Sequence, residues 1–236
     1  MMRLLLPSLL LSAGLAVSEA RADCADLSLV LAIDSSSSIN EAEFDMQRQG
    51  YAMALRDPAV LAAIEAAGVV QIAAVFWADA EFSATVLEFQ RIDDAADARR
   101  FSDRILAVKR QTFGDTDLGA GLMQALDLIA TSGGCSARAL VNVSGDGRQS
   151  TLFSRRSQRP VSVSTARERA AHEGVVVNAL AILNDEPALE SYYREHVIVG
   201  PGSFVMSVAG FDDFAAAIAK KLDREIRPQM TASLDR

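Results

Sequence analysis

The sequence predicts an α/β fold: a doubly wound, mainly parallel six-stranded sheet with one antiparallel edge strand and helices on both faces. Three observations lead there. Short β-rich runs alternate with helical patterns along the chain, which is the order that builds a parallel sheet flanked by helices. The runs at 27–33 and 69–77 are nearly continuously apolar, as strands buried on both faces are. The next run follows after a turn too short for a crossover, so it must return antiparallel, at an edge.

The elements follow in order. The first strand, 27–33, gives way to a helix over 41–56. At its start Ser38-Ile39-Asn40-Glu41 fits a capping box, and Asn40 with Glu43 fits the same box in a second register. The 69–77 strand holds the single Trp, Trp77, which reads as core. A turn at Ala78-Asp79-Ala80 leads to a third strand over 81–89. Ala98, Phe101, Ile105 and Val108 recur at helical spacing in 95–109, and a helix over 118–130 stops at Gly133-Gly134. A buried strand at 139–144, a helix at 164–172, an apolar strand at 175–183, a strand at 203–208 and a helix at 211–226 complete the unit. Tyr192 and Tyr193 fall in the connection before the last strand, where helix packing and exposed recognition of protein are both open.

The chain has 236 residues, half of them hydrophobic, enough for one good core in a single domain. Its formal net charge of −8 argues against nucleic acid or anionic lipid as partner. Residues 1–22 read as a secretory signal peptide: Arg3, an apolar run over 4–17, and the small-x-small site Ala20-Arg21-Ala22. The expected organisation is thus a signal peptide at 1–22 cleaved after Ala22, a folded domain at 23–228 and a flexible tail at 229–236. Asp23 separates Cys24 from Ala22, so a lipid-attachment signal is not expected, and the protein is expected to be periplasmic or secreted. In an oxidising compartment the two cysteines, Cys24 and Cys135, would pair, which requires the first strand and the 139–144 strand to be neighbours. Two separate thiols are the alternative.

Three loops carry the chemistry. Asp34-Ser35-Ser36-Ser37-Ser38 leaves the carboxyl end of the first strand and contains D-x-S-x-S, whose aspartate and two hydroxyls can hold a hard metal ion. Gly114-Asp115-Thr116-Asp117-Leu118-Gly119 offers another hydroxyl, and Ser144-Gly145-Asp146-Gly147 another carboxylate. Each has a plainer reading: the serines as a capping loop, Thr116 as the cap of the helix that follows, Gly145-Asp146-Gly147 as a turn. Asp115 and Asp117, which flank Thr116, read equally as added charge around such an ion or as solvated carboxylates at a helix start, and stay outside the candidate set. Arg148, Arg155, Arg156 and Arg159 make a local basic stretch that is either a solvated loop or a rim for an acidic partner.

With all three pieces in this order, the chain resembles a von Willebrand factor type A domain, a Rossmann-like fold with a metal-ion-dependent adhesion site. The pattern of elements matches from Asp26 to Ile226, and within that superfamily the chain is similar to bacterial exported members grouped as a domain of unknown function. The resemblance implies a divalent cation, Mg²⁺ first and Mn²⁺ or Ca²⁺ as alternatives, at Asp34, Ser36, Ser38, Thr116 and Asp146. It implies that Ser36, Ser38 and sometimes Thr116 bind directly, with Asp34 and Asp146 acting largely through water. Neutral hydroxyls leave the ion's charge uncompensated, so a protein ligand supplying Asp or Glu is expected to complete the site.

An enzymatic reading finds less support. Neither G-x-G-x-x-G nor a P-loop follows the first strand, and G-x-S-x-G is absent. His172 and His196 are the sole histidines, with no evident triad. A metal-assisted phosphoester hydrolase using Asp34 and Asp146 is the enzymatic alternative, but Ser36 stands where a second aspartate would be wanted. A structural domain with a vestigial metal site is a third reading. The expectation is a non-enzymatic, metal-dependent, protein-binding module of adhesion type.

Overall fold

A computed structural model describes residues 24–79, 82–131, 135–150 and 161–228. β1 (Ala25–Asp34) is central because it is apolar on both faces. Leu27, Leu29, Leu31 and Ile33 enter one core and Val30 and Ala32 the other, the period-two alternation that a pleated strand imposes. β2 (Val70–Trp77) pairs parallel on one flank and β4 (Ser136–Gly145) on the other. With β3 (Thr85–Ile92), β5 (Val176–Ile182) and β6 (Val205–Val208) the order is β3-β2-β1-β4-β5-β6, and β3 runs antiparallel at one edge. Strand order reverses between β1 and β4, so the crevice beyond Asp34 and Gly145 is the switch point where such sheets bind ligands.

The helices divide between the two faces according to their apolar residues. α1 (Glu41–Ala54), α2 (Pro58–Ala67), α3 (Ala95–Ala107) and α7 (Phe214–Ile226) share one core with Leu27 and Ile33. α4 (Leu118–Thr131), α5 (Val163–His172) and α6 (Leu189–His196) share the other with Val30, Trp77 and Tyr193. Trp77 is core, as expected. None of the described helices is long and apolar enough to cross a membrane.

Cys24 and Cys135 form a disulfide, with Cα atoms 4.7 Å apart across 111 positions. The adjacent residues Ala25 and Ser136 pair in the β1–β4 ladder, the neighbourhood that pairing of the cysteines requires.

Several boundaries differ from expectation. The expected helix over 41–56 is α1, ending at Ala54, and a second helix that the sequence reading lacks, α2, follows it, because Asp57 caps a new start with Pro58 at its first position, and Gly68, at φ +90°, ends it. The third strand begins at Thr85, not at 81. β2 cannot continue a tight hairpin there: the Trp77 carbonyl accepts from the Ser35 N–H (2.8 Å), and the Asp79 N–H donates to the Phe113 carbonyl (3.4 Å). Tyr192 and Tyr193 lie in α6, a helix absent from the sequence reading, and Tyr193 is packed in the core. The stop at Gly133-Gly134, the arginines 155, 156 and 159, and the segments 1–22 and 229–236 lie outside the described residues.

Candidate metal centre

β1 delivers Asp34 fully buried at its carboxyl end, and the chain then turns sharply because the Ser36 N–H donates to Asp34 Oδ1 (2.8 Å). That turn aims the next hydroxyls back over the sheet. Ser36 Oγ and Ser38 Oγ lie 3.1 Å apart, the Thr116 hydroxyl donates to Ser36 Oγ (3.2 Å), and the Ser38 hydroxyl donates to Asp146 Oδ1 (2.7 Å). All five residues singled out in the sequence thus meet at one point, with Ser38 the exposed member and Asp34, Ser36, Thr116 and Asp146 buried.

Side chains and backbone from several segments fix these loops. Arg110, near the start of the α3–α4 connection, donates to the carbonyls of Ser35 (3.2 Å) and Ser36 (2.7 Å). Gln47 Nε2 donates to the Asp34 carbonyl (3.0 Å). Ser35 Oγ bonds to the Trp77 carbonyl (2.9 Å) and to the Thr112 hydroxyl. Ser37 and Gly114 exchange two bonds, Ser37 N–H to the Gly114 carbonyl (2.9 Å) and Gly114 N–H to Ser37 Oγ (2.8 Å). Gly114 sits at φ +93°, which a side chain would disfavour. The Tyr193 hydroxyl donates to the Gly147 carbonyl (3.2 Å) and braces the third loop from α6. Arg110 carries no signal in the sequence, and Tyr193, packed in α6, is legible only as a packing or recognition residue, because their roles at the centre depend on contacts with chain far from them in sequence.

The helix caps separate from the candidate ligands. Asn40 caps α1, accepting from Ala42 and Glu43, and the Glu43 side chain closes the box, so the second register is the one used. At α4 the cap is Asp117, whose Oδ1 accepts from the Ala120 N–H (3.1 Å) and from Gln149 Nε2 (2.9 Å), not Thr116. Asp117 is buried, which corrects its reading as a solvated carboxylate; Gln149 and the Ser150–Thr116 pair close the third loop over it. His172 and His196 are both exposed at helix ends, with the His196 ring tilted against Tyr192 at 4.9 Å. Arg148 pairs with Glu186 and lies over the Tyr192 ring.

Electrostatically the centre gathers buried carboxylates. Burial first, and then the nearby Asp146 carboxylate, push Asp34 up to about 7 against the pull of the Ser36 hydrogen bonds and Arg110. Asp146 is also raised, by burial above all, with Asp185 and Glu43 adding like charge. One oxygen of each carboxylate, Asp34 Oδ2 and Asp146 Oδ2, is buried with no hydrogen-bond partner. Buried orphan acceptors are costly, and a hard cation is the group that would satisfy both together. Adjacent ligands of an octahedral Mg²⁺ at about 2.1 Å stand about 3 Å apart, close to the 3.1 and 3.2 Å separating Ser36 from Ser38 and Thr116. A Cβ on Gly145 would lie 2.8 Å from both Asp34 Oδ2 and the Tyr193 hydroxyl, so the cradle is kept open by the absence of a side chain. The donor set fits a divalent cation that prefers oxygen.

Comparison with solved structures places the fold. The pilus adhesin SpaC from Lactobacillus rhamnosus GG matches with a TM-score of 0.61 at 14% identity, over 86% of this chain and 31% of that one. The von Willebrand factor domain of the type V pili tip protein Mfa5 from Porphyromonas gingivalis matches at 0.58 and 13% identity, over 87% of this chain and 97% of that one. Proximal thread matrix protein 1 of the mussel byssus, in a structure with a zinc-occupied MIDAS motif, matches at 0.55 and 15% identity, over 85% of this chain and 47% of that one. The chain therefore spans less than half of the adhesin and of the byssus protein. No curated protein sequence matches the chain. These likenesses establish a von Willebrand factor type A-like fold, and the family model described as protein of unknown function (DUF1194) matches residues 23–230, so the chain belongs to that family.

Proposed function

We propose that this protein is an exported module that binds another protein through a divalent cation held by Asp34, Ser36, Ser38, Thr116 and Asp146. The observation that carries the reading is the convergence of two buried carboxylates, each with an unpartnered oxygen, on three mutually bonded hydroxyls. Mg²⁺ is the favoured ion, because all the donors are oxygen and most are neutral. When bound it would present a Lewis-acidic position toward solvent beside exposed Ser38, and an Asp or Glu of the partner is the ligand best suited to it. Adhesins and pilus-tip proteins among the structural neighbours support binding over turnover, and the byssus protein's zinc-occupied motif supports a cation on this fold. The disulfide and the N-terminal sequence pattern support export to the periplasm or beyond it.

Titration calorimetry with Mg²⁺, Mn²⁺ and Ca²⁺ on the wild type and Asp34→Ala tests the centre. Binding by the wild type that is lost in the variant is expected; equal binding by both, or none by either, refutes it. Incubation with generic phosphoesters and Mg²⁺ is expected to give no turnover that depends on Asp34.

A further inference from the structure

Phe82 and Phe113 are the two aromatic residues among the large apolar side chains left exposed in the described structure, each 41% accessible. They come from different connections, β2–β3 and α3–α4, yet their rings meet edge to face at 6.4 Å. Phe113 immediately precedes Gly114, whose backbone is doubly bonded to Ser37 between the two candidate ligand serines. The guanidinium of Arg110 lies 5.0 Å over the Phe113 ring while its N–H groups hold the Ser35 and Ser36 carbonyls. The aromatic pair is therefore tied to the same loop that presents Ser36 and Ser38.

The two sides of the centre differ in chemistry. Strand order puts the β2–β3 connection on one side of β1 and the β5–α6 connection on the other. Toward β5, Asp185 joins Glu43 from α1 in setting negative charge against Asp146. On that side Arg148 is paired with Glu186 over the Tyr192 ring; toward β2 stand two exposed phenyl rings, beside Arg110, whose side chain is buried and paired with Glu41. Exposed apolar surface therefore adjoins the centre on the second side, where a ligand that reaches the cation can set down an apolar side chain. An apolar anchor beside a polar contact is how compact recognition sites gain both affinity and direction.

We propose that Phe82 and Phe113 form an apolar subsite of the candidate metal centre, which takes a protein segment carrying an aliphatic or aromatic side chain close in sequence to its carboxylate. This rests on the metal-dependent reading above. The probe is a random peptide library displayed on phage, panned against the Mg²⁺-loaded protein and eluted with chelator. Enriched peptides are expected to pair an Asp or Glu with a neighbouring large apolar residue. As synthetic peptides they should bind Phe82→Ser/Phe113→Ser weaker by about tenfold or more, and Phe82→Ser alone by an intermediate factor, with calorimetric Mg²⁺ binding unchanged in both. Chelator-eluted peptides that carry a carboxylate without the apolar neighbour, or that bind the double variant as tightly as the wild type, overturn the subsite and leave the metal reading standing. A wild type that dimerises in sedimentation while the double variant stays monomeric overturns it in favour of a second copy as occupant. Recovery of no chelator-eluted peptide overturns both.

Discussion

The Ser38 hydroxyl donates to Asp146 Oδ1 at 2.7 Å across a sequence separation of 108. This bond closes the crevice between the carboxyl ends of β1 and β4, and it joins the one exposed donor of the centre to a carboxylate whose other oxygen is unpartnered. A cation entering here would replace contacts among the protein's own oxygens with contacts to itself, so the ligand shell is assembled in advance. Pre-assembly of this kind lowers the ordering cost of binding.

Removing a hydroxyl and removing a carboxylate should therefore differ. Ser38→Ala is expected to weaken Mg²⁺ binding by about tenfold, a cost on the order of 1.4 kcal/mol, while leaving the melting temperature of the metal-free protein nearly unchanged, because Ser38 is exposed. Asp146→Asn is expected to weaken Mg²⁺ further and to raise the metal-free melting temperature, since it removes a buried carboxylate beside Asp34. Calorimetry and thermal denaturation with and without Mg²⁺ check both.

The centre also predicts a pH dependence with a definite sign. Asp34 in the folded, metal-free protein is raised to about 7 from 3.8, so the folded state holds its proton more tightly than the unfolded state. Its contribution to stability is complete below about pH 4 and is lost as pH rises through about 7, by a few kcal/mol in order of magnitude. Bound metal requires the carboxylate and reverses the trend. The rise in melting temperature on adding Mg²⁺ should thus grow from pH 5 to pH 8; an increment independent of pH would count against Asp34 as part of the centre.

Gly145→Ala places a methyl group 2.8 Å from Asp34 Oδ2 and from the Tyr193 hydroxyl, in the space between β4 and the carboxylate. Loss of detectable Mg²⁺ binding is expected, with destabilisation of about 1–3 kcal/mol from overpacking. Chemical denaturation should separate this from Gly174→Ala, where no atom stands within 4 Å and only the backbone at φ +70° is strained.

The Cys24–Cys135 bridge spans 111 positions, and for a loop of that size chain entropy implies about 4–5 kcal/mol of stabilisation. Cys24→Ser/Cys135→Ser should lower the denaturation midpoint accordingly while retaining Mg²⁺ binding, because the bridge joins the opposite ends of β1 and β4 from those that hold Asp34 and Asp146. A thiol count under denaturing, non-reducing conditions should find none free.

The buried pair between Lys221 and Glu225 on α7 gives a control away from the centre. Their 2.5 Å contact is wholly enclosed, and Asn142 on β4 donates to the second Glu225 oxygen at 2.6 Å. Lys221→Met leaves the carboxylate without its cation and should cost about 3–5 kcal/mol, with little change in Mg²⁺ affinity. Equilibrium unfolding and calorimetry check the two halves of that statement.

What the sequence determined by itself was whatever is written in local order. The nearly continuous apolar run of β1, a capping box at the start of α1, the antiparallel edge and the succession of Asp34-x-Ser36-x-Ser38, Thr116 and Asp146 all follow from the local order of residues. The tertiary structure alone decided what depends on distant chain. It added α2 after the first helix, moved the start of β3 to Thr85 because Trp77 and Asp79 are engaged by other loops, buried Asp117 beneath Gln149, and set Arg110, Tyr193 and the Phe82–Phe113 pair around the centre. The physical reason is that periodicity reports how a residue sits on its own helix or strand, whereas burial, orphaned oxygens and shifted titration are sums over atoms supplied by segments far apart in sequence.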